Sequence, residues 1–264
     1  MPRVGILSLL SCILLTLTLS TPSSAQTPDD TRYLELQELV LNPTAGTLKQ
    51  GQYGVDIRAY GDGGLLAGVG VGLFHRFMFG ISYGGQNMLG YDEFNGNDLP
   101  GVQVRYRVIE ESMRMPAVTV GYQMQGYGSW DKDVERYLYK APGAFAVVSR
   151  NFWSPYGHFG IHAGINYNTI ETNDQRGWDG YFGVDFSINE QLTIVGEYDL
   201  GLDDNINDNG YGEGEYGYFN AAVRFSFAQS FAIQVDVYDL LNTSDRTEGF
   251  GRALKVFYVE TFSL

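Results

Sequence analysis

Three histidines, His75, His158 and His162, are the first residues whose type could support acid–base or metal chemistry. His158 and His162 stand four positions apart in Gly157-His158-Phe159-Gly160-Ile161-His162-Ala163, where apolar and polar or small residues alternate. That alternation marks a strand, and four residues along a strand cover roughly 13 Å, too far for both rings to hold one ion. Barrel enzymes that hydrolyse lipid pair a serine with a histidine on a lipid-facing wall. Here the alternation turns both histidines away from the apolar face, and neither is followed by a closely spaced serine. His75 falls in a tight turn. We expect no catalytic residue, no metal centre and no cofactor, and we read His158 and His162 as polar lining.

The ionised residues point the same way. Asp56, Arg58, Arg105, Arg107, Asp185, Glu197, Asp199, Arg224 and Asp236 share the non-apolar face of their segments with His158 and His162. Such a face must be hydrated or cross-paired, because a lone buried charge is too costly. A second acidic group, Asp203, Asp204, Asp208, Glu213 and Glu215, lies in loop 201–215 with no base among them. It is a candidate for divalent cations held through oxygen, although its spacing is not that of an EF-hand and a solvated acidic loop explains it as well. Loop 126–142 mixes Trp130, Tyr137 and Tyr139 with charges. Those aromatics could stack on sugars, but a rim girdle is the preferred reading. Gly68-Val69-Gly70-Val71-Gly72 sits within a strand pattern with no helix after it, so it is no dinucleotide loop. Its glycines suit tight curvature, or a ligand path past them.

The elements that position these residues are strands. Twelve runs of period-2 alternation occupy about 52–60, 65–74, 77–85, 101–109, 117–125, 143–150, 157–167, 178–189, 192–199, 216–227, 231–239 and 251–262. Most match the roughly 9–11 residues that a tilted strand needs to cross a bilayer. Short turns at 74–77, 110–116, 151–156, 188–192 and 227–231 alternate with long polar loops at 86–100, 126–142, 168–177, 201–215 and 240–250. The hairpin at Gly61–Gly64 is the exception, short where a long loop is due. The sorted loops predict an all-β fold: a single transmembrane antiparallel barrel with short periplasmic turns and long extracellular loops. A porin-like lumen of mixed charge follows, with a closed structural or partner-binding barrel as the alternative and an outer-membrane lipid hydrolase as a more distant one.

The chain opens with Arg3, an apolar run from Gly5 to Leu19, and small residues at Ser23 and Ala25. This is the pattern of a cleaved export signal, 1–25. Residues 26–50 are expected as a periplasmic lead-in, with 33–41 either a short helix or a strand, and 51–264 as the barrel. The sole cysteine, Cys12, lies within the signal, so the remainder has no thiol chemistry. A formal charge of −14 disfavours nucleic acid as a partner. Export and barrel together predict a bacterial outer membrane of the Gram-negative type, with lipid, lipopolysaccharide and the barrel-assembly machinery as partners, and polysaccharide or divalent cations as further candidates.

Two stretches resemble a known family. Asn42-Pro43-Thr44-Ala45-Gly46-Thr47-Leu48, with Gly51, resembles the entry segment of the exopolysaccharide-associated, YjbH-type outer-membrane barrels. Pro100-Gly101-Val102-Gln103-Val104-Arg105-Tyr106-Arg107, with Pro116-Ala117 and Gly121-Tyr122, resembles a hairpin of that family. The likeness spans residues 42–150 and implies a barrel linked to polysaccharide export or envelope structure. It implies no catalytic residue.

Overall fold

The computed structural model describes residues 35–90, 93–132, 135–154, 157–170, 177–203, 217–243 and 249–262, all within the compact unit Thr31–Leu264. The expected signal lies outside the described residues, as do Asp204, Asp208, Glu213 and Glu215 of the candidate cation loop. The strands are β1 (Gln52–Tyr60), β2 (Gly64–Leu73), β3 (Phe77–Gln86), β4 (Asn95–Gly96), β5 (Gly101–Ile109), β6 (Ala117–Gln123), β7 (Tyr127–Asp131) and β8 (Arg136–Tyr139). They continue with β9 (Gly143–Ser154), β10 (Gly157–Tyr167), β11 (Trp178–Ser187), β12 (Leu192–Asp199), β13 (Tyr218–Ala228), β14 (Phe231–Tyr238) and β15 (Gly251–Thr261).

The twelve long strands form a meander, each antiparallel to the next. β15 returns to β1 and closes the sheet, in register from Gln52↔Thr261 to Tyr60↔Ala253. Closure leaves the meander without a free edge, the arrangement that lets every strand satisfy its backbone groups within the sheet. The short elements are loop structure. β4 extends the end of β3, and β7 and β8 form their own hairpin.

Alternation in the sequence becomes alternation between outside and inside, because successive side chains of a strand point to opposite faces. On β10, Ile161 and Ile165 are 43% and 54% exposed, whereas His162 and Asn166 are 3% and 6% exposed. On β14, Val235 is 50% exposed between Gln234 at 1% and Asp236 at 0%. The barrel is therefore apolar outside and polar within.

The short hairpin Gly61–Gly64 has a local cause. Asp62 and Gly63 both adopt positive φ, 57° and 61°, and the Gly64 amide donates to Gly61 O at 3.1 Å. This is the tight turn that suits the right-handed twist of a hairpin. The next loop covers it, since Asn87 N–H donates to Asp62 O and Leu89 N–H to Gly63 O, at 3.1 and 3.0 Å.

Candidate functional site

The segment before β1 is neither helix nor extended strand. It reverses over Leu39–Asn42: Leu39 N–H donates to Asn42 O at 2.9 Å, Thr44 N–H donates to Gln37 O at 3.0 Å, and Glu38 bridges Pro43. The reversal lies inside the barrel. Leu39 and Val40 are fully buried and pack with Ala45 against Phe145, Val147, Tyr181, Val195, Ala222 and Ala253 of the wall. The interior is thus not uniformly polar. It carries an apolar patch matched to this segment, and each of Leu39 and Val40 gains about 1.5–3 kcal/mol from burial. The lead-in at 26–50 therefore has at least its residues 35–48 docked within the barrel.

Polar side chains from around the wall complete the docking. Glu197 accepts the successive N–H groups of Val40, Leu41 and Asn42 at 3.1, 3.1 and 2.9 Å through one oxygen, and Asn220 Nδ2 at 2.8 Å through the other. Asn42 Nδ2 donates to Asp199 at 2.8 Å. Arg105 donates to Gln37 O at 2.6 Å, and Arg107 to Ala45 O at 2.7 Å while pairing with Glu35. Lys255 Nζ reaches Val40 O at 2.6 Å and Tyr181 Oη reaches Pro43 O at 2.7 Å. These bonds satisfy backbone groups that would otherwise be buried without partners.

Glu38 is the charged centre of the segment. Its carboxylate lies 3.0 Å from Arg58, 3.8 Å from Lys255 and 4.0 Å from Arg105, and accepts the Tyr127 hydroxyl at 2.7 Å. The Arg58 guanidinium sits 3.4 Å above the Tyr127 ring, so the same tyrosine supports both partners of the pair. Lys255 also pairs with Asp236 at 3.0 Å.

His162 joins a second network. Its Nδ1 is 2.8 Å from Ser149 Oγ and its Nε2 is 2.8 Å from Asp185. In its bond to the Asp185 carboxylate oxygen, Nε2 is the donor. Ser149 accepts Ala45 N–H at 2.9 Å and gives its own hydrogen to Nδ1. Serine, histidine and aspartate are the residue types of a hydrolytic triad, but Ser149 is only 4% exposed beneath Ala45 and both its bonding roles are filled. The chain of bonds anchors the docked segment. His158 reaches the same Asp185 at 3.6 Å. Gly160, opposite Asp185 in register, makes this possible, for a Cβ there would lie 2.1 Å from the Asp185 carboxylate.

Arg58, Arg105, Arg107, His162, Asp185, Glu197 and Asp199 thus make the contacts just described, and two inward glycines make room for the docked segment. A Cβ on Gly72 would lie 2.0 Å from Lys49 O, and one on Gly183 would lie 2.5 Å from Leu39 Cδ1. At these positions the missing side chain is the room the docked segment fills. Asp203, expected in a loop with no base, pairs at 3.3 Å with Lys140 from another loop. Tyr137 and Tyr139 form no outward girdle: Tyr137 is buried, and Tyr139 packs 4.8 Å from the inward Tyr238. The hairpin carrying them folds over the interior, which is where Tyr127 meets Glu38. The sequence reading missed Glu38, Asn42, Ser149 and Lys255. Only Lys255 left a signal, as the inward member of Ala253-Leu254-Lys255-Val256-Phe257.

These features define a closed twelve-stranded barrel with an apolar exterior and a charged interior that its own N-terminal segment occupies. No family model matches the chain, and no curated protein matches it in sequence. Solved structures with a similar fold include the KdgM porin, 10% identical with a TM-score of 0.45 over 80% of this chain and 99% of that one. The NanC porin is 12% identical with a TM-score of 0.39, over 80% of this chain and 100% of its own. Outer membrane protein Omp33 of Acinetobacter baumannii is 10% identical with a TM-score of 0.41, over 81% and 100%. The resemblance to YjbH-type barrels thus remains one of short motifs.

Proposed function

We propose that this protein is a porin-like channel of a bacterial outer membrane, with a narrow lumen of mixed charge that residues 35–48 constrict. The observation that carries the reading is the inversion of the two faces. Val69, Ile81, Phe182 and Val235 are each about half exposed on the outside, while Arg58, Arg105, Glu197, Arg224 and Asp236 are buried inside. Each ionised group on a lipid face would cost roughly 2–4 kcal/mol at mid-bilayer, so this distribution suits a barrel ringed by lipid and lipopolysaccharide. On this reading the short turns face the periplasm and the long loops face outward.

A second reading is favoured by the docked segment itself. A barrel filled by its own chain could serve as a closed envelope component or as a partner in polysaccharide export. Conductance separates the two. Residues 26–264, refolded and inserted in a planar lipid bilayer, are expected to give reproducible small current steps whose ion selectivity shifts in Arg224→Ala. A folded, heat-modifiable barrel that passes no current would overturn the channel reading in favour of the closed barrel.

A further inference from the structure

We propose that the open route through this barrel is a lane on one side of the docked segment, against the wall of β1, β2, β3, β5 and β6, and that it admits small solutes of either charge sign. The inference rests on the channel reading and deepens it by giving the lumen a path and a solute class. The segment fills the interior unevenly. Leu39, Val40 and Ala45 pack against Phe145 of β9, Tyr181 of β11, Val195 of β12 and Ala222 of β13. On the opposite arc of the ring, a cavity of about 80 Å³ lies between Glu38 and Leu48 of the segment and wall residues that include Gly68, Gly80, Ser82 and Gln103. It has room for a few waters or a solute of a few heavy atoms.

Glycine keeps this arc open. The three atoms nearest to a Cβ on Gly80 would all belong to the wall: Val69 O at 3.2 Å, and Gln103 Oε1 and Gly70 Cα at 3.5 Å. At Gly72 and Gly183 the segment itself takes up the room, whereas Gly80 faces the cavity. The same space leaves a donor unmet. Arg58 lines it and is 4% exposed, yet its Nη1 has no hydrogen-bond partner. A buried donor without a partner is costly, and water or a passing solute supplies the missing bond. Leu48 and Met78 narrow the lane. A Cβ on Gly70 would lie 2.9 Å from Met78 Cε and 3.3 Å from Leu48 Cδ1, so the two side chains converge beside that glycine. An apolar neck of this kind selects by size and ease of dehydration.

The charges that line the lane offset one another. Glu38 pairs with Arg58, and Glu35 with Arg107. Asp56 stands in the field of Arg58, Lys255 and Arg105 as well as Glu38, and Arg224 in that of Asp185 and Asp236. No stretch of the lining presents one sign alone. Between the charges, the amides of Gln103, Gln123 and Gln125 and the Ser82 hydroxyl offer donors and acceptors together. A cleft lined by one sign of charge concentrates ions of the other sign. This lining lacks that bias, so size and the capacity to hydrogen-bond decide entry.

The test is thiol labelling, for which residues 26–264 supply a background without cysteine. Gly80→Cys places a thiol in the lane, and Val195→Cys places one in the filled half, where Val195 is fully buried. Each refolded, detergent-solubilised variant is treated with a cationic (trimethylammonium-ethyl) or an anionic (sulfonato-ethyl) methanethiosulfonate, and labelling is followed by mass spectrometry relative to free cysteine. Gly80→Cys is expected to react with both reagents at relative rates within about tenfold of each other, whereas a lining of one sign would separate them by up to roughly a thousandfold. Val195→Cys should react about a hundredfold more slowly than Gly80→Cys, because its thiol is reached only when the segment opens locally. Heat-modifiable gel mobility reports that each variant is folded. Labelling of Gly80→Cys no faster than Val195→Cys would overturn the lane, and a preference for one reagent beyond about tenfold would overturn its indifference to charge. Labelling needs no current. A barrel that conducts but protects Gly80→Cys therefore sinks the lane alone, and a barrel that passes no current sinks the channel reading on which the lane rests.

Discussion

Glu38 and Arg58 are 20 residues apart in the chain, and their side chains meet at 3.0 Å inside the barrel. One residue belongs to the docked segment and the other to β1, so the pair ties the occupant of the interior to its wall. Lys255 and Arg105 stand around the same carboxylate. An acid removed from such a group leaves buried cations without compensation, and that asymmetry makes the segment's attachment open to test.

Glu38→Gln keeps the shape of the side chain and an oxygen for the Tyr127 hydroxyl, but removes the charge. Breaking a buried pair in this way costs about 3 kcal/mol. Amide exchange at Leu39 and Thr44, whose N–H groups close the reversal, should then quicken roughly a hundredfold, while the strands stay protected. Unchanged exchange would show that Glu38 is not an anchor.

Glu197→Gln probes the other end of the reversal. Its carboxylate takes three consecutive N–H groups, from Val40, Leu41 and Asn42. Charge-assisted bonds are about twice as strong as neutral ones, so the amide should loosen these bonds by about 1–2 kcal/mol. Exchange at the three amides is expected to rise by about a factor of ten. A rise confined to Thr44 and Ala45 would contradict the role given to Glu197.

Gly46→Ala should dislodge the segment without touching a strand. A Cβ at position 46 would lie 2.2 Å from the backbone oxygen of Leu36, which cannot move aside without opening the reversal. Single-channel conductance of the variant should exceed that of the unaltered chain, with the barrel's heat-modifiable mobility retained. Equal conductance would mean that residues 35–48 are not the constriction.

Ser149→Ala distinguishes an anchor from a nucleophile. It leaves Ala45 N–H and His162 Nδ1 without their shared partner, a loss of about 1–3 kcal/mol, visible as faster exchange at Ala45. Hydrolysis of p-nitrophenyl acetate should be at background in both chains. Turnover present in the unaltered chain and lost in Ser149→Ala would instead establish a catalytic serine.

The wall of this barrel was legible because its code is local. A strand repeats every two residues, so Ile161 and Ile165 against His162 and Asn166 assign both faces of β10 from the sequence alone, and the rhythm of short turns and long loops assigns the order of strands. The docked segment was not legible, for the opposite reason. Leu39-Val40-Leu41 is an apolar run of no fixed period, and its amides find Glu197 about 155 residues away. The serine that meets His162 sits on the neighbouring strand, 13 positions earlier in the chain. Nor does Gly72 reveal whether its missing side chain serves curvature or the close approach of Lys49 O. Strand spans, faces and lining charges were fixed by alternation. What fills the interior and which charges pair depend on strands brought side by side by closure. That juxtaposition exists only once the twelfth strand meets the first.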